Sequence, residues 1–327
     1  MGGWGVEKHT SMHCINLETN DPYFNLALEE LLLKGSKEEY FIIFVNSPSV
    51  IIGKHQSGHI EVNTKFVTKN QIPVIRRISG GGTVYHDLGN LNFSFIRESE
   101  SGKQVDFRKY TQPVIDFLQQ MGVDARFEGK NDLKIDGLKI SGNSEHIHRN
   151  RVLHHGTILF NTQLDVLRNC IRIDKSRYSS RAVASNPSSV VNLIEKLSCF
   201  DDITRFKAAM MDFFLKSYPE TYPYELSEIE ILEAESVALS KYKTWEWNWA
   251  YGPEYSFSNT FEIVKTPHSC LLFVKDGLIM ESTISGSQKM EKVSKKLVGC
   301  RHMVNDLSEV FIKENINLNR EEIFNFF

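Results

Sequence analysis

The chain has 327 residues with a formal net charge of -3; 41% of them are hydrophobic and 24% are charged. This composition is typical of a globular protein and excludes a disordered chain, a collagen-like repeat and a coiled coil. The length exceeds one typical domain, and the weak charge, with no basic stripe, predicts no nucleic-acid partner.

Membrane segments and disulfides are not expected either. No apolar run is longer than the five residues from Phe41 to Val45, whereas a bilayer-spanning helix needs roughly 20. The first eleven residues lack the apolar stretch of a secretory signal, which predicts a cytoplasmic protein. The five cysteines are odd in number and include no C-x-x-C pair, so neither disulfides nor a structural zinc site is expected.

The N-terminal half is predicted to form mainly strands. Leucines at helical spacing behind Asp21 and Pro22 predict a first helix over 22–34. Runs rich in Val, Ile and Phe predict strands, and two helices lie between them. The predicted strands are 41–46, 50–52, 72–76 and 91–96, and the helices are 62–70 and 107–121. A hairpin is predicted around Asp136-Gly137, because an Asp-Gly pair suits a turn whose two central residues take positive φ.

Helices dominate the next part of the chain. A strand at 152–161 is followed by predicted helices at 163–171, 188–197 and 202–217, and a capping box at Ser227 and Glu230 begins a helix to about residue 241. After the tryptophan-rich stretch 245–252, strands are predicted at 255–264, 269–274 and 278–284, with Asp276-Gly277 as a second hairpin turn between the last two. Helices are predicted at 288–298 and 304–314. The pattern predicts an α+β fold with a large domain over 1–247 and a small α+β domain over 248–327.

Three consecutive glycines stand out in R-R-I-S-G-G-G-T-V-Y-H-D at residues 76–87. Without Cβ atoms, backbone N–H groups can approach an anion closely, and Arg76 and Arg77 add charge-assisted donors. This motif predicts an anion pocket, although a wide turn with two solvated arginines is an equally good interpretation. The spacing excludes both a Walker loop and a dinucleotide-binding fingerprint.

A second group of polar residues flanks the predicted hairpin. The tight turn places Asp132 and Lys139 on neighbouring strands, where a carboxylate could hold Mg²⁺ and an ammonium could offset phosphate charge. Exposed hairpin charges are the alternative for each residue alone. His154 and His155 are adjacent on a strand, so they point to opposite faces and make a poor metal pair; one is expected to orient a ligand or satisfy a core hydrogen bond.

Together, the motifs at 76–90, 130–144 and 154–159 closely resemble those of the lipoate-protein ligase A family in order and spacing. The resemblance covers about residues 14–245, and the remaining tail resembles the accessory C-terminal domain of the long ligases. It implies a class II synthetase-like biotin/lipoate ligase catalytic domain, a mixed sheet with packed helices, over 1–247 and an accessory domain over 248–327. The implied activity is lipoate salvage: ATP and Mg²⁺ convert free lipoate to lipoyl-AMP. The lipoyl group then passes to a lysine of a lipoyl domain in a 2-oxoacid dehydrogenase complex or of glycine-cleavage H protein.

The resemblance also implies roles for matched residues. Lys139 is implied as the catalytic lysine that touches both the lipoyl carboxylate and the α-phosphate. The implied ATP and lipoyl-AMP site comprises Arg77, Ser79, Gly80, Gly81, Gly82, Thr83, Val84, Tyr85 and Lys139. The implied lipoate site comprises Arg77, His86, Lys139, Gly142 and His155, and Asp132 is the predicted Mg²⁺ ligand.

Three other functions remain open at this point. An octanoyl or lipoyl transferase of the same fold needs a cysteine shortly before the lysine motif, but the sequence has none between Cys14 and Cys170. A biotin ligase shares parts of the second motif but would carry a different Gly- and Arg-rich loop. A non-catalytic lipoate-binding protein would tolerate loss of Lys139, Arg77 and the glycines, all of which are present.

Overall fold

The structure is a computed structural model that describes residues 11–99, 106–197 and 199–327. Residues 1–10, in which no secretory signal is predicted, lie outside the described residues. The strands are β1 (Met12–Asn16), β2 (Glu39–Val45), β3 (Ser49–Ile52), β4 (Val74–Arg76), β5 (Val84–His86), β6 (Asn90–Glu98), β7 (Arg126–Glu128), β8 (Asp132–Ile135), β9 (Leu138–His148), β10 (Arg151–Leu159), β11 (Tyr178–Ser180), β12 (Thr221–Pro223), β13 (Tyr255–Ile263), β14 (Thr266–Lys275) and β15 (Leu278–Ser285). The helices are α1 (Pro22–Gly35), α2 (Gly58–Glu61), α3 (Thr64–Lys69), α4 (Phe107–Gln120), α5 (Leu164–Cys170), α6 (Ile203–Ser217), α7 (Glu228–Val237), α8 (Gln288–Leu297), α9 (Val304–Lys313) and α10 (Arg320–Ile323).

An eight-stranded mixed sheet forms the centre of the molecule, in the order β12-β1-β2-β6-β10-β9-β8-β7. Side chains of β2 alternate between its two faces, as the period of a strand requires. Phe41 and Ile43 pack with α4 and α6, whereas Ile42 and Phe44 pack with α1 and α7. The sheet is therefore the middle of three layers, and each face has its own apolar core.

Two smaller sheets complete the fold. The first, in the order β4-β3-β5, carries the triple-glycine segment between β4 and β5. The second, in the order β11-β13-β14-β15, packs on α8 and α9 around its own apolar cluster. That cluster includes Ile60 from the preceding part of the chain, and β11 joins the second sheet from outside residues 248–327. The boundary at residue 247 stays a prediction.

Most predicted elements are present, and both Asp-Gly turns adopt the expected conformation. Asp136 and Gly137 have φ of 51° and 78°, and Asp276 and Gly277 have φ of 50° and 70°. The Ser227–Glu230 capping box also forms as predicted. The predicted helix at 62–70 forms as α3, which begins after Asn63 because the Asn63 side chain accepts a hydrogen bond from the Phe66 N–H. The short helix α2 before it was not predicted.

The prediction of a helix over 188–197 is wrong, since only a short 3-10 turn forms at Leu193–Glu195. Val191 donates its N–H to the Lys139 carbonyl at 3.1 Å instead of to a helical neighbour. The Asn192 side chain bonds both main-chain groups of Thr162. Beta-branched residues and asparagine have weak helix propensity, so these tertiary contacts prevail. Five short strands, β1, β5, β7, β11 and β12, were not predicted.

Along the described residues, every helix is too short or too polar to cross a lipid bilayer.

Candidate active site

A cavity of about 450 Å³ lies between α1, the central sheet and the triple-glycine segment. The residues that line it change from apolar to charged along the strand order of the sheet. Leu26 of α1, Phe44 of β2 and Phe93 of β6 line one end, whereas Asp132 of β8 and Lys139 of β9 line the other. The cavity therefore suits a molecule that is apolar at one end and charged at the other.

The hairpin places its charged pair inside this cavity, as the sequence predicts. Lys139 Nζ lies 2.8 Å from Asp132 Oδ1, and both side chains are about one-fifth exposed. Gly142 contributes by lacking a side chain, because a Cβ there would lie 3.1 Å from Lys139 Nζ. The main chain of Lys139 is fixed as well, since its N–H donates to the Ser189 carbonyl at 2.9 Å.

The Arg77 guanidinium holds the glycine segment in shape from behind. It donates to the carbonyls of Gly80 at 2.6 Å and Gly82 at 2.8 Å, and its Nε–H donates to Ser79 Oγ at 2.9 Å. Burial lowers the pKa of Arg77 to about 10, so it keeps its charge at neutral pH. Gly81, between the two bonded carbonyls, has a φ of +83°, a conformation that favours glycine.

Arg76 does not contribute to the cavity, so the prediction of an arginine pair aimed at an anion is wrong for this residue. Its side chain is fully buried and donates to carbonyls of Gly53, Gln56, Trp247 and Asn248. Adjacent residues at the end of a strand point in opposite directions, which separates Arg76 from Arg77. Arg76 therefore fastens β4 to the tryptophan-rich segment.

The predicted site residues fall into two groups. Those that line the cavity are Arg77, Gly81, Gly82, Thr83, Val84, His86, Asp132, Lys139, Gly142 and His155. Ser79, Gly80 and Tyr85 lie outside the cavity lining: the Ser79 hydroxyl and the Gly80 carbonyl serve Arg77, and Tyr85 is buried in an apolar cluster. Their predicted contacts with ATP, like those of the lining residues, stay predictions.

Comparison with known proteins assigns the chain to a family. The model of the lipoyl protein ligase A/B catalytic domain matches residues 21–215. Lipoate–protein ligase 1 of Staphylococcus aureus is 35% identical over 300 residues, which cover 90% of this chain and 91% of that protein. The chain belongs to the lipoyl protein ligase A/B family. The predicted resemblance to lipoate-protein ligase A is thus confirmed.

Solved structures of lipoate-protein ligases share the fold. The ligase of a bipartite lipoylation system from Thermoplasma acidophilum is 28% identical, with a TM-score of 0.62. The match covers 73% of this chain and 96% of that one. A lipoate-protein ligase A with bound ATP is 27% identical with a TM-score of 0.61, and the match covers 73% of this chain and 98% of that one. The prediction of an α+β fold built on a mixed sheet is confirmed.

In this ligase, His86 presents a neutral donor to the cavity. Asn46 Nδ2 donates to His86 Nδ1 at 2.9 Å, so the ring proton lies on Nε2. Burial, with Arg77 and His155 nearby, lowers the pKa of His86 to about 3. His86 Nε2 is buried and has no partner among the described residues. A ligand oxygen would satisfy this N–H, which supports the predicted contact with lipoate.

His154 and His155 face opposite sides of the sheet, as predicted. His155 lines the cavity, with Nε2 at 2.6 Å from Ser79 Oγ and Nδ1 at 3.1 Å from Glu29 Oε2. His154 lies in the other apolar layer, where its Nδ1 is 2.8 Å from Glu145 Oε1. Burial lowers the pKa of His154 well below its usual value and raises that of Glu145 to about 8, which favours a neutral pair.

The sequence analysis missed an irregular segment, residues 183–188, that lines the charged end of the cavity. Ser185 Oγ accepts a hydrogen bond from the Thr83 N–H at 2.9 Å and one from Gln56 Nε2 at 3.0 Å. The segment therefore connects directly with the glycine segment. Its only sequence signal is a run of small polar residues, S-S-R-A-V-A-S-N-P-S-S at 179–189, which is also typical of an ordinary loop.

Glu29 was also missed, although the sequence carries a signal for it. It lies three residues after Leu26 and four before Leu33 and so falls on the apolar face of α1. The Glu29 side chain is nevertheless charged, and the residue is only 1% exposed and lines the cavity. A carboxylate on the buried face of a predicted helix indicates a polar partner in the core.

Proposed function

We propose that this protein is an ATP-dependent lipoate-protein ligase that converts lipoate to lipoyl-AMP and then transfers the lipoyl group to a lysine of an acceptor protein. The observation that carries the proposal is that one cavity has an apolar end at Leu26, Phe44 and Phe93 and a charged end at Lys139. Lipoyl-AMP has the same distribution: an apolar chain, a mixed anhydride and a nucleotide. The family and its ATP-bound member support this assignment.

The first step requires two anions to approach each other, because a carboxylate oxygen of lipoate must attack the α-phosphate of ATP. The Lys139 ammonium would offset this repulsion and stabilise the charge that develops on the phosphate oxygens. The N–H of Gly81 would add a donor whose position is fixed by the loop. Pyrophosphate then leaves, and the acyl-adenylate remains in the cavity.

Mg²⁺ would bind together with ATP rather than in a site made by the protein alone. The described residues contain no group of three or more His, Cys, Asp or Glu side chains that could enclose a metal. Asp132 offers one carboxylate at the charged end of the cavity, and Mg²⁺ commonly combines one or two carboxylates with phosphate oxygens and water. The bound ion would neutralise part of the phosphate charge.

In the second step the neutral amine of an acceptor lysine attacks the acyl carbon, and AMP leaves. We propose that the acceptor is a lipoyl domain or glycine-cleavage H protein; a related ligase from Thermoplasma acidophilum was solved in a study of that ligase and its E2 lipoyl domain. All five cysteines are free thiols, which suits a reducing cytoplasmic setting.

The test is an assay with ATP, Mg²⁺, lipoate and an unmodified lipoyl domain. The proposal predicts that AMP and a lipoylated domain appear together, in equal amounts, and that neither appears without lipoate. A parallel reaction with an octanoyl carrier protein and no ATP tests the transferase alternative. We expect no transfer there, because no cysteine lines the cavity and Cys170 is fully buried, with its pKa raised to about 12 by burial. Transfer without ATP would contradict the proposal.

A further inference from the structure

Glu29 is a buried carboxylate hydrogen-bonded to Ser94 and to His155, and His155 lines the cavity. Ser94 Oγ donates to Glu29 Oε1, and His155 Nδ1 lies 3.1 Å from Oε2. Ser94 and His155 are directly paired on the neighbouring strands β6 and β10, so α1 places the carboxylate above both. Because burying a carboxylate is costly unless it is hydrogen-bonded, these two contacts fix the carboxylate in place.

The partners of His155 define the direction of each hydrogen bond. Glu29 can only accept, so His155 Nδ1 carries the proton that faces it. Ser79 Oγ accepts the Nε–H of Arg77 and is left with its own proton, which it donates to His155 Nε2 at 2.6 Å. The result is a continuous relay from Arg77 through Ser79 and His155 to Glu29.

The relay ends on the main chain of the glycine segment. Arg77 Nη2 donates to the carbonyls of Gly80 and Gly82, and Ser144 Oγ donates to the Gly80 carbonyl at 2.8 Å. In a trans peptide the C=O and N–H point in opposite directions, so the Gly81 N–H points away from Arg77. Over the three described ranges, no atom accepts a hydrogen bond from this N–H. The orientation of Arg77 therefore sets the orientation of a free donor.

We propose that Glu29, His155 and Ser79 are positioning residues that act through Arg77 to hold the Gly81 N–H in the orientation that binds a nucleotide phosphate. The inference rests on the proposed function. It gives Glu29 a role in nucleotide binding, although Glu29 lies at the opposite end of the relay from Gly81. Ser79 is itself fully buried outside the cavity lining, so it can affect nucleotide only through its neighbours.

The residue that precedes His155 on the same strand provides a matched comparison. His154 also has its Nδ1 bonded to a buried glutamate, Glu145, at 2.8 Å. That pair lies in the opposite apolar layer and makes no contact with the glycine segment. Replacing Glu145 by Gln therefore changes a buried His–Glu pair on the same strand without interrupting the relay.

The experiment measures binding to the full-length protein by calorimetry, with α,β-methylene ATP and Mg²⁺ as the nucleotide probe and with lipoate separately. The variants are Glu29→Gln, Ser79→Ala, the double variant and Glu145→Gln as the control. We expect each relay variant to weaken nucleotide binding about 10-fold, since each loses or weakens a charge-assisted hydrogen bond. Ser79→Ala should weaken lipoate binding less than it weakens nucleotide binding, because Ser79 lies outside the cavity lining and the acyl chain would lie against Leu26, Phe44 and Phe93.

The double variant distinguishes a relay from two separate effects. Through the hydrogen bonds of the described residues, Glu29 reaches Arg77 only by way of His155 and Ser79. The double variant should therefore bind nucleotide about as weakly as Ser79→Ala alone, about 10-fold below the wild type instead of about 100-fold. Glu145→Gln should bind nucleotide like the wild type. If Glu29→Gln does not fold, His155→Gln replaces it, because His155 is the next member of the relay. The same loss of nucleotide affinity is expected for that variant.

Three results would overturn the inference: unchanged nucleotide affinity in the single variants, a multiplicative loss in the double variant, or an equal loss in Glu145→Gln. Absence of nucleotide binding by the wild-type protein would instead contradict the proposed function. The two failures are therefore distinguishable in one set of measurements.

Discussion

Lys139 carries the charge that the proposed adenylation step needs most directly. Its ammonium is the basic group paired with Asp132 at the polar end of the cavity. We predict that Lys139→Ala lowers the rate of lipoate-dependent ATP–pyrophosphate exchange at least about 100-fold, because a fixed charge at the developing anion is lost. Thermal denaturation should show an intact fold.

The matched control is Lys134→Ala on the same hairpin. Lys134 pairs with Glu128 at 3.3 Å and does not line the cavity. Exchange at the wild-type rate is expected for this variant. A Lys139→Ala protein that retains near-normal exchange would show that the catalytic role has been given to the wrong residue.

A substitution at Gly81 tests the anion-binding loop, because it adds a Cβ atom where the loop has none. Its φ is +83°, and an added Cβ would lie 3.0 Å from Arg77 Nη2. We predict that Gly81→Val weakens binding of α,β-methylene ATP about 100-fold, since a β-branched residue disfavours this φ and displaces the guanidinium. Gly35→Val is the control, because a Cβ at Gly35 meets no atom within 4 Å. Equal affinities in the two variants would refute the loop assignment.

Among elements, the contact between β4 and the π-helical turn Glu246–Ala250 depends on Arg76. Burial lowers the pKa of Arg76 to about 10, and its guanidinium donates to the Gln56 carbonyl in the loop after β3 and to the Asn248 carbonyl of the turn. We predict that Arg76→Met lowers the free energy of unfolding by about 4 kcal/mol, since several buried carbonyls lose their donor. The measurement is urea denaturation.

Arg168→Met serves as the comparison for that measurement. Arg168 forms an exposed pair with Asp165 on α5, which contributes less than about 1 kcal/mol. A loss at Arg76 as small as that at Arg168 would contradict the structural role given to Arg76.

Elements with strong local signals could be predicted from sequence, and those fixed by distant contacts could not. The Asp-Gly hairpin and the Ser227 capping box form because their own residues specify them. Residues 190–192, in contrast, are extended because they bond Lys139 and Thr162, which are far away in the sequence. Strand β1 pairs in parallel with β12, more than 200 residues away, so no local pattern marks either one.

The same distinction applies to the site. The motifs identified Gly81, Lys139 and His155, which the structure brings to one cavity. They could not show that Arg76 and Arg77 serve different contacts, because both belong to one dipeptide and only tertiary packing separates them. The segment 183–188 was missed because its role depends on the position of Thr83 and Gln56, not on its own sequence.

At the scale of the whole molecule, buried histidines make stability depend on pH. Among the described residues, four histidines are buried with lowered pKa values: His86 to about 3, His302 to about 4, and His59 and His154 well below the usual value. Below about pH 6.5 the unfolded chain binds protons that the folded state does not, so stability is lost as the pH falls. Glu145, with its pKa raised to about 8, acts in the opposite sense between pH 4.5 and 8.

Burial also raises the pKa of Asp87, which acts in the same sense as Glu145. Because the four histidines outnumber these two carboxyl groups, we predict a lower melting temperature at pH 5 than at pH 7.5, measured by circular dichroism in the same buffer strength. Replacing His302 by Gln should reduce this difference, since that variant removes one of the titrating groups. A melting temperature that is constant or rises on acidification would contradict the prediction.

The most direct test of the account is a crystal structure of the protein with a non-hydrolysable lipoyl-AMP analogue. We predict that the phosphate lies within hydrogen-bonding distance of the Gly81 N–H and of Lys139 Nζ, and that the acyl chain lies against Leu26, Phe44 and Phe93. An analogue bound at another surface, or in this cavity with its acyl chain at the Lys139 end, would contradict it.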